Sequence, residues 1–303
     1  MITVTVPATS ANLGPGFDVL GLALPLYNRL TLAPATALRI RHTGPEAAGL
    51  PEDPTHLAYR AAEMLCETIE EPVPVWELAM EVHVPQSRGL GSSSSAIVAG
   101  LVAANAWFGD RLTREELLTL ATRIEGHPDN VAPALYGGVT AAWTRDGVTQ
   151  CLPLNDRVPA SLVLAVPNFH LSTSESRRAL PDTYTRADVV ENLAAVTILT
   201  TVMLKNTVEC WADGLFDRLH QPYRFPLIPG AEAVARGARH AGAYGTVISG
   251  AGPTLLAFCP EERQAAVALA MVEAWSAAKI ESRALTFDAL ATGAWVESTR
   301  RGV

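Results

Sequence analysis

The sequence has little charge, few aromatic residues and only four cysteines in 303 residues. Charged residues make up 18% of the chain and hydrophobic residues 49%, whereas charged residues average about 25% in soluble domains. A chain so rich in apolar residues can bury a large core, which excludes intrinsic disorder. The cysteines, at positions 66, 151, 210 and 259, form no closely spaced pair. This excludes a disulfide-rich scaffold and argues against a zinc site, and we expect reduced, buried thiols.

Basic residues are also scarce, with 23 Lys plus Arg against 31 Asp plus Glu and a formal charge of −8. Such a chain is poorly suited to bind phosphate backbones, so we expect no nucleic-acid partner. The first ten residues have neither the basic nor the apolar region of a signal peptide. The longest apolar stretch, 96–108, is shorter than the ~20 residues of a membrane span. We therefore expect a cytoplasmic protein with no membrane partner.

Hydrophobic patterning predicts a mixture of strands and helices. Strands are expected at 2–6 (ended by Pro7), 19–26, 38–42, 76–84, 139–143, 161–166, 247–250 and 255–259, and helices at 56–68, 96–107, 114–124, 187–219 (two or three) and 261–278. The elements do not alternate as in a doubly wound sheet, which predicts an α+β fold. A change of composition at 155–159 separates an N-terminal domain, 1–157, from a C-terminal domain, 158–303.

The most informative segment is a Gly/Ser loop between a predicted strand and a predicted helix. It contains Pro85, Gln86, Ser87, Arg88, Gly89, Leu90, Gly91, Ser92, Ser93, Ser94 and Ser95. Its glycines let backbone N–H groups turn toward an anion, next to the positive end of a helix dipole. No lysine follows as in a P-loop, and a serine stands where a dinucleotide fingerprint needs its third glycine. A simple capped turn is the alternative, but the strand–loop–helix context favours a phosphate site.

The string PxxxGLGSSxA within this loop resembles the ATP-binding signature of the GHMP kinases. The resemblance is to the homoserine kinase branch, and it extends over segments from residue 6 to about residue 258. These segments are VPATSANLGPGFDVLGLAL, VPQSRGLGSSSS, EGHPDNVAPALYGG, STSESRRALP, QPYRFPLIPG and SGAGPTLLAF. The resemblance implies a two-domain GHMP kinase fold, with an N-terminal domain like domain 2 of ribosomal protein S5 and a ferredoxin-like C-terminal domain. It also implies ATP and Mg²⁺ as cofactors and a homodimer.

A tight turn at Gly14-Pro15-Gly16 brings Asn12 and Asp18 together. Asp18 is suited to bind an ammonium group, and Asn12 a hydroxyl or a carboxylate. The chemistry alone leaves open whether these side chains serve only their own backbone. The resemblance implies that they bind an amino acid.

The segment EGHPDNVAP provides further candidates. Glu125 is a candidate Mg²⁺ ligand because Mg²⁺ takes few protein carboxylates, and the resemblance pairs it with Ser93. Several related kinases have an aspartate base near residue 130, whereas the resemblance to homoserine kinases implies that Asn130 binds substrate. Whether His127 or Asp129 takes part in proton transfer stays open.

Two arginines complete the expected substrate site. Thr173 and Arg177 are four residues apart and share a face of a helical turn, and a guanidinium suits a carboxylate. The resemblance implies that Arg224 is a second carboxylate ligand. It also implies that the SGAGPT turn at 249–254 packs against the phosphate loop. It places His56 near the adenine, where homoserine kinases often have Asn.

The resemblance and these residues together imply ATP-dependent phosphorylation of the side-chain hydroxyl of L-homoserine, with Asn130, Arg177 and Glu125 as the catalytic residues. The alternative is a sister kinase acting on mevalonate, shikimate or a sugar. A ligand-binding regulator without activity and a Rossmann-type oxidoreductase are weaker alternatives, because the phosphate loop is intact and the third glycine is missing.

Overall fold

The computed structural model describes residues 1–299, in which two β-sheets are covered by helices. The first sheet contains β1 (Ile2–Ala11), β2 (Leu20–Pro34), β3 (Arg39–Thr43), β4 (Trp76–Glu81), β5 (Val139–Arg145), β6 (Val148–Asn155) and β11 (Trp295–Thr299). Its main order is β11-β1-β2-β4-β3, and β5 joins β2 to β6. All pairs are antiparallel except β3 with β4. This antiparallel arrangement is typical of α+β proteins.

The second sheet is smaller and fully antiparallel. It contains β7 (Ser161–Pro167), β8 (Gly245–Ile248), β9 (Leu255–Cys259) and β10 (Ser282–Phe287), in the order β10-β7-β9-β8. Every residue of β7 and β9 is buried, as expected for central strands covered on both faces.

Ten α-helices surround the sheets in the described part of the chain. They are α1 (Leu57–Thr68), α2 (Ser92–Trp107), α3 (Arg114–Glu125), α4 (Pro128–Tyr136), α5 (Thr173–Arg178), α6 (Arg186–Lys205), α7 (Trp211–Gly214), α8 (Gln221–Arg224), α9 (Ala231–His240) and α10 (Gln264–Ala277). The helices α1 to α4 pack with the first sheet, and α9 and α10 pack on the second sheet. The α3 start is fixed by a capping box between Thr113 and Glu116.

A shared apolar core joins the two sheets. It includes Leu22 and Leu24 of β2, Leu162 and Leu164 of β7, and Phe258 of β9, all of which are at most 1% exposed. Burial of each such side chain contributes about 1.5–3 kcal/mol. The two sheets are therefore fixed against each other, and loops from both meet at one edge of this core.

The last described strand, β11, pairs with β1 of the first sheet. An isolated bridge from Gly137 to Thr292 leads into the same contact. Thus the chain after residue 290 returns to the first sheet, although the predicted boundary assigns it to the domain 158–303. The division at residue 157 stays a prediction.

Several elements differ from the expected ones. Strand β1 continues through Pro7, and a register shift between Pro7 and Ala8 accommodates the proline. The segment after His127, expected as a turn, is helix α4, because Pro128 occupies the first turn, where a missing N–H is harmless. Helix α2 begins at Ser92, four residues earlier than predicted. Strands β6, β10 and β11 and helix α9 were not predicted.

Helix α6 is the one described helix that is long and apolar enough to cross a membrane by length and composition. Within its most apolar window, 28% of the residues are buried. This is weak evidence for a membrane segment, because packed helices of water-soluble proteins pass the same test. The four cysteines are free; Cys66 and Cys259 are buried as expected, whereas Cys210 is exposed. Cys151 is half-buried, so the expectation of uniformly buried thiols is wrong for Cys151 and Cys210.

Candidate active site

A cavity of about 350 Å³ opens between the two sheets, at the N-terminus of α2. It is lined by residues of both predicted domains. Of the predicted site residues, it brings together Asn12, Asp18, His56, Gln86, Ser87, Gly89, Leu90, Gly91, Ser92, Ser93, Glu125, Asn130, Thr173, Arg177 and Arg224. Residues that lie more than 200 positions apart in the sequence therefore meet around one space.

The phosphate loop, residues 85–95, has a backbone conformation that requires its glycines. Gly89 and Gly91 have φ values of 75° and 67°, and Ser87 is also left-handed at 51°. A Cβ on Gly89 would lie 2.1 Å from the carbonyl oxygen of Ser249, and a Cβ on Gly91 would lie 1.9 Å from Thr9 Oγ1. Both the conformation and the close contacts therefore exclude larger residues.

The second glycine turn, residues 249–254, lies directly against the phosphate loop. Ser249 Oγ donates a hydrogen bond of 2.6 Å to the carbonyl oxygen of Gly89. The backbone N–H of Thr254 donates to the carbonyl oxygen of Arg88 at 3.3 Å. The predicted packing of this turn on the loop is therefore present in the structure.

The N-terminus of α2 faces the cavity with its first backbone N–H groups uncapped. Its N-cap residue, Gly91, has no side chain to accept from them, and the first bond within the helix runs from Ser95 N–H to Gly91 O. Such N–H groups, with the positive end of the helix dipole, form an anion site.

Glu125, the last residue of α3, reaches this helix terminus. Its Oε1 accepts hydrogen bonds from Ser93 Oγ at 2.7 Å and from Ser94 Oγ at 2.9 Å. No group of three or more His, Cys, Asp or Glu side chains able to hold a metal occurs among residues 1–299. One carboxylate and one hydroxyl beside a phosphate site fit Mg²⁺, which keeps several waters and phosphate oxygens as ligands.

Asn130, near the start of α4, lies close to the loop. Its Oδ1 accepts a hydrogen bond of 2.8 Å from Thr9 Oγ1. This contact leaves the Nδ2 amide as the group available to the cavity. Thr9 was not predicted as a site residue, because a buried threonine in a strand has no distinguishing sequence pattern.

Asp18 and Arg177 form a bidentate ion pair in the cavity wall. Arg177 Nη1 and Nη2 donate to the two carboxylate oxygens at 3.0 and 2.7 Å. The hydrogen bonds to Asp18 raise the pKa of Arg177 above its usual value. The two residues were expected to bind opposite ends of a substrate, whereas here they also bind each other.

Arg224 is buried, with 2% of its surface exposed, and still lines the cavity. Its Nη1 and the Nδ2 of Asn12 donate to the same carbonyl oxygen, that of Gly250, at 3.2 and 2.8 Å. Burial lowers the pKa of Arg224, and the charge of Arg177 lowers it further. A buried guanidinium with no direct carboxylate partner among the described residues favours binding of an anionic group.

His127 and Asp129 form a second polar pair at the cavity. His127 Nδ1 lies 2.6 Å from Asp129 Oδ1, and Asp129 is 2% exposed. Burial lowers the pKa of His127, but the hydrogen bond and charge of Asp129 outweigh it, so the pKa is raised overall. The carboxylate of Asp129 is therefore engaged by a neighbouring side chain.

Another part of the cavity wall contains a histidine and apolar side chains. Burial and the neighbouring His42 lower the pKa of His56 to about 4, so the imidazole is neutral at neutral pH. Its ring stacks on His42 at 4.9 Å, and its Nδ1 has no hydrogen-bond partner among the described residues. Met80 and Val82 line the same part of the cavity.

Pro85, Arg88, Ser94 and Ser95, which were predicted to bind ATP, are not among the cavity-lining residues. The Arg88 side chain turns away, and its Nε donates to the carbonyl oxygen of Pro167 at 2.9 Å. Ser94 Oγ serves Glu125, and Ser95 Oγ contacts Asn28 at 2.7 Å. These side chains shape the loop and helix instead of facing the cavity.

Two family descriptions match the chain. "GHMP kinases N terminal domain" matches residues 56–138 and "GHMP kinases C terminal" matches residues 200–277. The homoserine kinase of Prochlorococcus marinus is 47% identical over 292 residues, which cover 93% of this chain and 91% of the relative.

Solved structures agree with the sequence matches. The homoserine kinase of Cytophaga hutchinsonii aligns with a TM-score of 0.87 and 29% identity, covering 97% of this chain and 96% of that one. The phosphomevalonate kinase of Streptococcus pneumoniae aligns with a TM-score of 0.68 and 13% identity, covering 95% and 100%. The latter shares the fold alone. By these matches and by its phosphate loop, the chain belongs to the GHMP kinase family, in the homoserine kinase branch.

Proposed function

We propose that this protein transfers the γ-phosphoryl group of ATP to the side-chain hydroxyl of L-homoserine, a step toward threonine. The observation that carries the proposal is a single cavity with a different type of site at each end. The phosphate end consists of the loop 85–95 and the N-terminus of α2. The amino-acid end consists of Asn12, Asp18, Arg177 and Arg224.

The phosphate end would hold the nucleotide mainly through its backbone. The uncapped N–H groups at the start of α2 and the inward-turned loop provide donors for phosphate oxygens without a lysine. The apolar wall near His56 would receive the adenine.

Ser93 and Glu125 would hold Mg²⁺ at this end. The ion would neutralise charge on the phosphates during phosphoryl transfer. Ser93 Oγ donates a hydrogen bond to Glu125 Oε1, and this contact between the two side chains supports the proposed pairing. Glu125 is therefore our candidate for the acidic ligand.

At the amino-acid end, opposite charges suit a zwitterion. Asp18 would bind the ammonium group, and Arg177 and Arg224 the carboxylate, with Asn12 and Thr173 as further polar contacts. The ion pair between Asp18 and Arg177 holds the carboxylate and the guanidinium in place before the substrate binds. Such positioning of the reacting hydroxyl accounts for much of the rate in phosphoryl transfer.

No dedicated base is needed in this proposal. Asp129 is engaged by His127, and the amide of Asn130 is turned by Thr9 so that Nδ2 donates into the cavity. The substrate oxygen forms a bond to the γ-phosphorus, the bond from that phosphorus to the bridging oxygen breaks, and ADP leaves. The hydroxyl proton passes to an oxygen of the transferred phosphoryl group.

Mevalonate, shikimate and sugars lack the ammonium group that Asp18 would bind, so a sister kinase activity is the less favoured alternative. An inactive regulator and an oxidoreductase are not supported, because the chain belongs to a kinase family and its phosphate loop and Glu125 are in place. The test is coupled ADP release with L-homoserine, L-serine, L-threonine, mevalonate and shikimate. We expect L-homoserine to give the highest kcat/KM; a preference for mevalonate or shikimate would contradict the proposal.

We extend the proposal to assembly and location. Val189, Val190 and Leu193 leave an exposed apolar face on α6, between 41% and 59% exposed, which suits a second copy of the chain. A homodimer measured by light scattering should dissociate in the variant Leu193→Glu, whereas an unchanged mass would contradict this interface. We place the enzyme in the cytoplasm, with no nucleic-acid or membrane partner.

A further inference from the structure

His220 is a fully buried imidazole. It contacts both Arg224 and the turn at Gly14-Pro15-Gly16. Its Nε2 lies 2.9 Å from the carbonyl oxygen of Gly14, and its Nδ1 lies 3.3 Å from Arg224 Nη1. A carbonyl oxygen only accepts and a guanidinium only donates. Both hydrogen bonds form together only if Nε2 carries the proton and Nδ1 the lone pair. The geometry therefore selects one neutral tautomer.

The surroundings of His220 keep the ring neutral. Burial is the largest effect lowering its pKa, and the charge of Arg224 lowers it further. Asp217, whose Oδ2 lies 3.6 Å from Nε2, and Asp18 act in the opposite direction without reversing the shift. An acceptor therefore faces Arg224 throughout the neutral pH range.

Three of the five N–H donors of the Arg224 guanidinium have partners within the protein. Nε donates to the carbonyl oxygen of Ser176 at 3.4 Å, and Nη1 donates to Gly250 O and to His220 Nδ1. No partner for Nη2 occurs among the described residues. Since Arg224 lines the cavity, Nη2 is the part of the guanidinium left for a ligand.

Phe17 strengthens this arrangement. Its ring stacks on His220 at 5.3 Å, and the Arg224 guanidinium lies 5.2 Å from the centre of the same ring. Phe17 directly precedes Asp18, the residue expected to bind the ammonium group. His220 therefore connects the turn that carries Asp18 with Arg224.

We propose that His220 is a positioning residue for the substrate carboxylate, holding Arg224 through Nδ1 and the turn at Gly14 through Nε2. This inference rests on the proposed function. Without the acceptor at Nδ1, the guanidinium loses one of the contacts that fix its plane. Recognition of the carboxylate should then weaken, while ATP binding and the chemical step should change little.

The two ring nitrogens can be tested separately. In His220→Asn the short amide can replace Nδ1, whereas in His220→Gln the longer amide can replace Nε2 only. His220→Phe keeps the stacking on Phe17 and removes both. We expect the KM for L-homoserine to rise about 10-fold or more in His220→Gln and His220→Phe, and less in His220→Asn, because a hydrogen bond to a charged group is lost only in the first two. The KM for ATP should stay near that of wild type.

A shortened substrate distinguishes positioning from a general structural role. The compound 3-aminopropan-1-ol is homoserine without its carboxylate. Because His220→Gln loses the contact with Arg224 and can keep the contact with Gly14, this variant and wild type should phosphorylate the compound with the same kcat/KM. Equal losses on both substrates would overturn the inference. His240→Gln, on an exposed histidine at the end of α9, is the matched control.

Thermal unfolding of each variant shows whether it folds. If His220→Phe does not fold, the order of the Asn and Gln variants decides, and equal KM values in these two overturn the inference. Loss of folding in all three also overturns it in favour of a structural role. If wild type itself does not phosphorylate L-homoserine, the proposed function fails, which is a separate result.

Discussion

The phosphate end and the amino-acid end of the cavity are built in different ways. At the phosphate end, one continuous segment supplies a strand exit, two glycines and a helix start, and the binding groups are backbone amides. At the amino-acid end, the binding groups are side chains from turns and helices that are far apart in the chain. An anion can be held by any correctly shaped backbone, whereas a zwitterion needs opposite charges at a fixed distance.

This contrast explains what the sequence could predict. The phosphate loop is local, so its glycine spacing and its position before an apolar stretch already indicate its chemistry. The arginines give no such signal, because an isolated arginine is usually a surface charge. Arg177 and Arg224 could be assigned only from the family resemblance, and their pairing with Asp18 and His220 could not be assigned at all.

Elements that depend on long-range pairing were also missed. Strand β11 pairs with β1 from Ile2 to Thr5, and nothing in the sequence of its own five residues requires a strand. Helix α4 was missed because Pro128 and Pro133 indicate a turn. In the structure its apolar residues pack in the core between the first sheet and the helices α1 to α3, and this packing stabilises a helix. In both places tertiary contacts override local propensity.

The largest effect is expected at the acidic residue of the phosphate end. Glu125→Gln should lower kcat about 100- to 1000-fold, as for loss of one electrostatic contribution to a transition state. The KM for L-homoserine should change little, because among the described residues the Glu125 carboxylate hydrogen-bonds to Ser93 and Ser94 and to none of the proposed amino-acid ligands. Steady-state kinetics with magnesium varied would measure this. Glu115→Gln, on an exposed position of the same helix, is the control; a similar loss there would contradict the assignment.

A somewhat smaller effect is expected from the loop backbone. Gly89→Ala should lower kcat/KM for ATP about 100-fold, because the added Cβ meets the Ser249 carbonyl at 2.1 Å and displaces the loop. Gly109→Ala is a matched control, since Gly109 has a similar φ of 79° but no neighbour within 4 Å. Nucleotide titrations would measure both variants. Equal losses in ATP binding would mean that the contact of Gly89 with the turn at 249–254 does not matter.

A substitution at the amino-acid end should raise the KM for L-homoserine. Arg224→Lys replaces a planar guanidinium with an ammonium group and leaves fewer fixed donors. We expect the KM for L-homoserine to rise about 10- to 100-fold, which corresponds to 1.5–3 kcal/mol for hydrogen bonds to a charged group. The exposed Arg178→Lys should behave like wild type. An unchanged KM in Arg224→Lys would remove Arg224 from the carboxylate site.

The smallest effect on turnover is expected at Asp129. A general base contributes about 100- to 10,000-fold, so without such a role Asp129→Asn should lower kcat less than about 10-fold. If kcat is abolished while both KM values and the fold are preserved, the mechanism without a base is wrong.

The same variant tests the ion pair with His127. The raised pKa of His127 means that the pair stabilises the folded state below about pH 6.5, the unfolded value, and that this stability is lost as pH rises through the folded pKa. The difference in free energy of unfolding between wild type and Asp129→Asn should therefore be larger at pH 6 than at pH 8.5. An NMR titration should show the pKa of His127 falling in the variant.

The carbonyl of Gly250 receives both Asn12 and Arg224, and the turn that carries it holds the phosphate loop through Ser249. A substrate that restrains this turn through Asn12 and Arg224 therefore also restrains the phosphate loop, and a substrate bound at the loop restrains Asn12 and Arg224. Thermodynamic linkage then requires reciprocity: whatever factor homoserine applies to the dissociation constant of ATP, ATP applies to that of homoserine. The two substrates of this enzyme are thus expected to bind cooperatively, through the single peptide unit at Gly250.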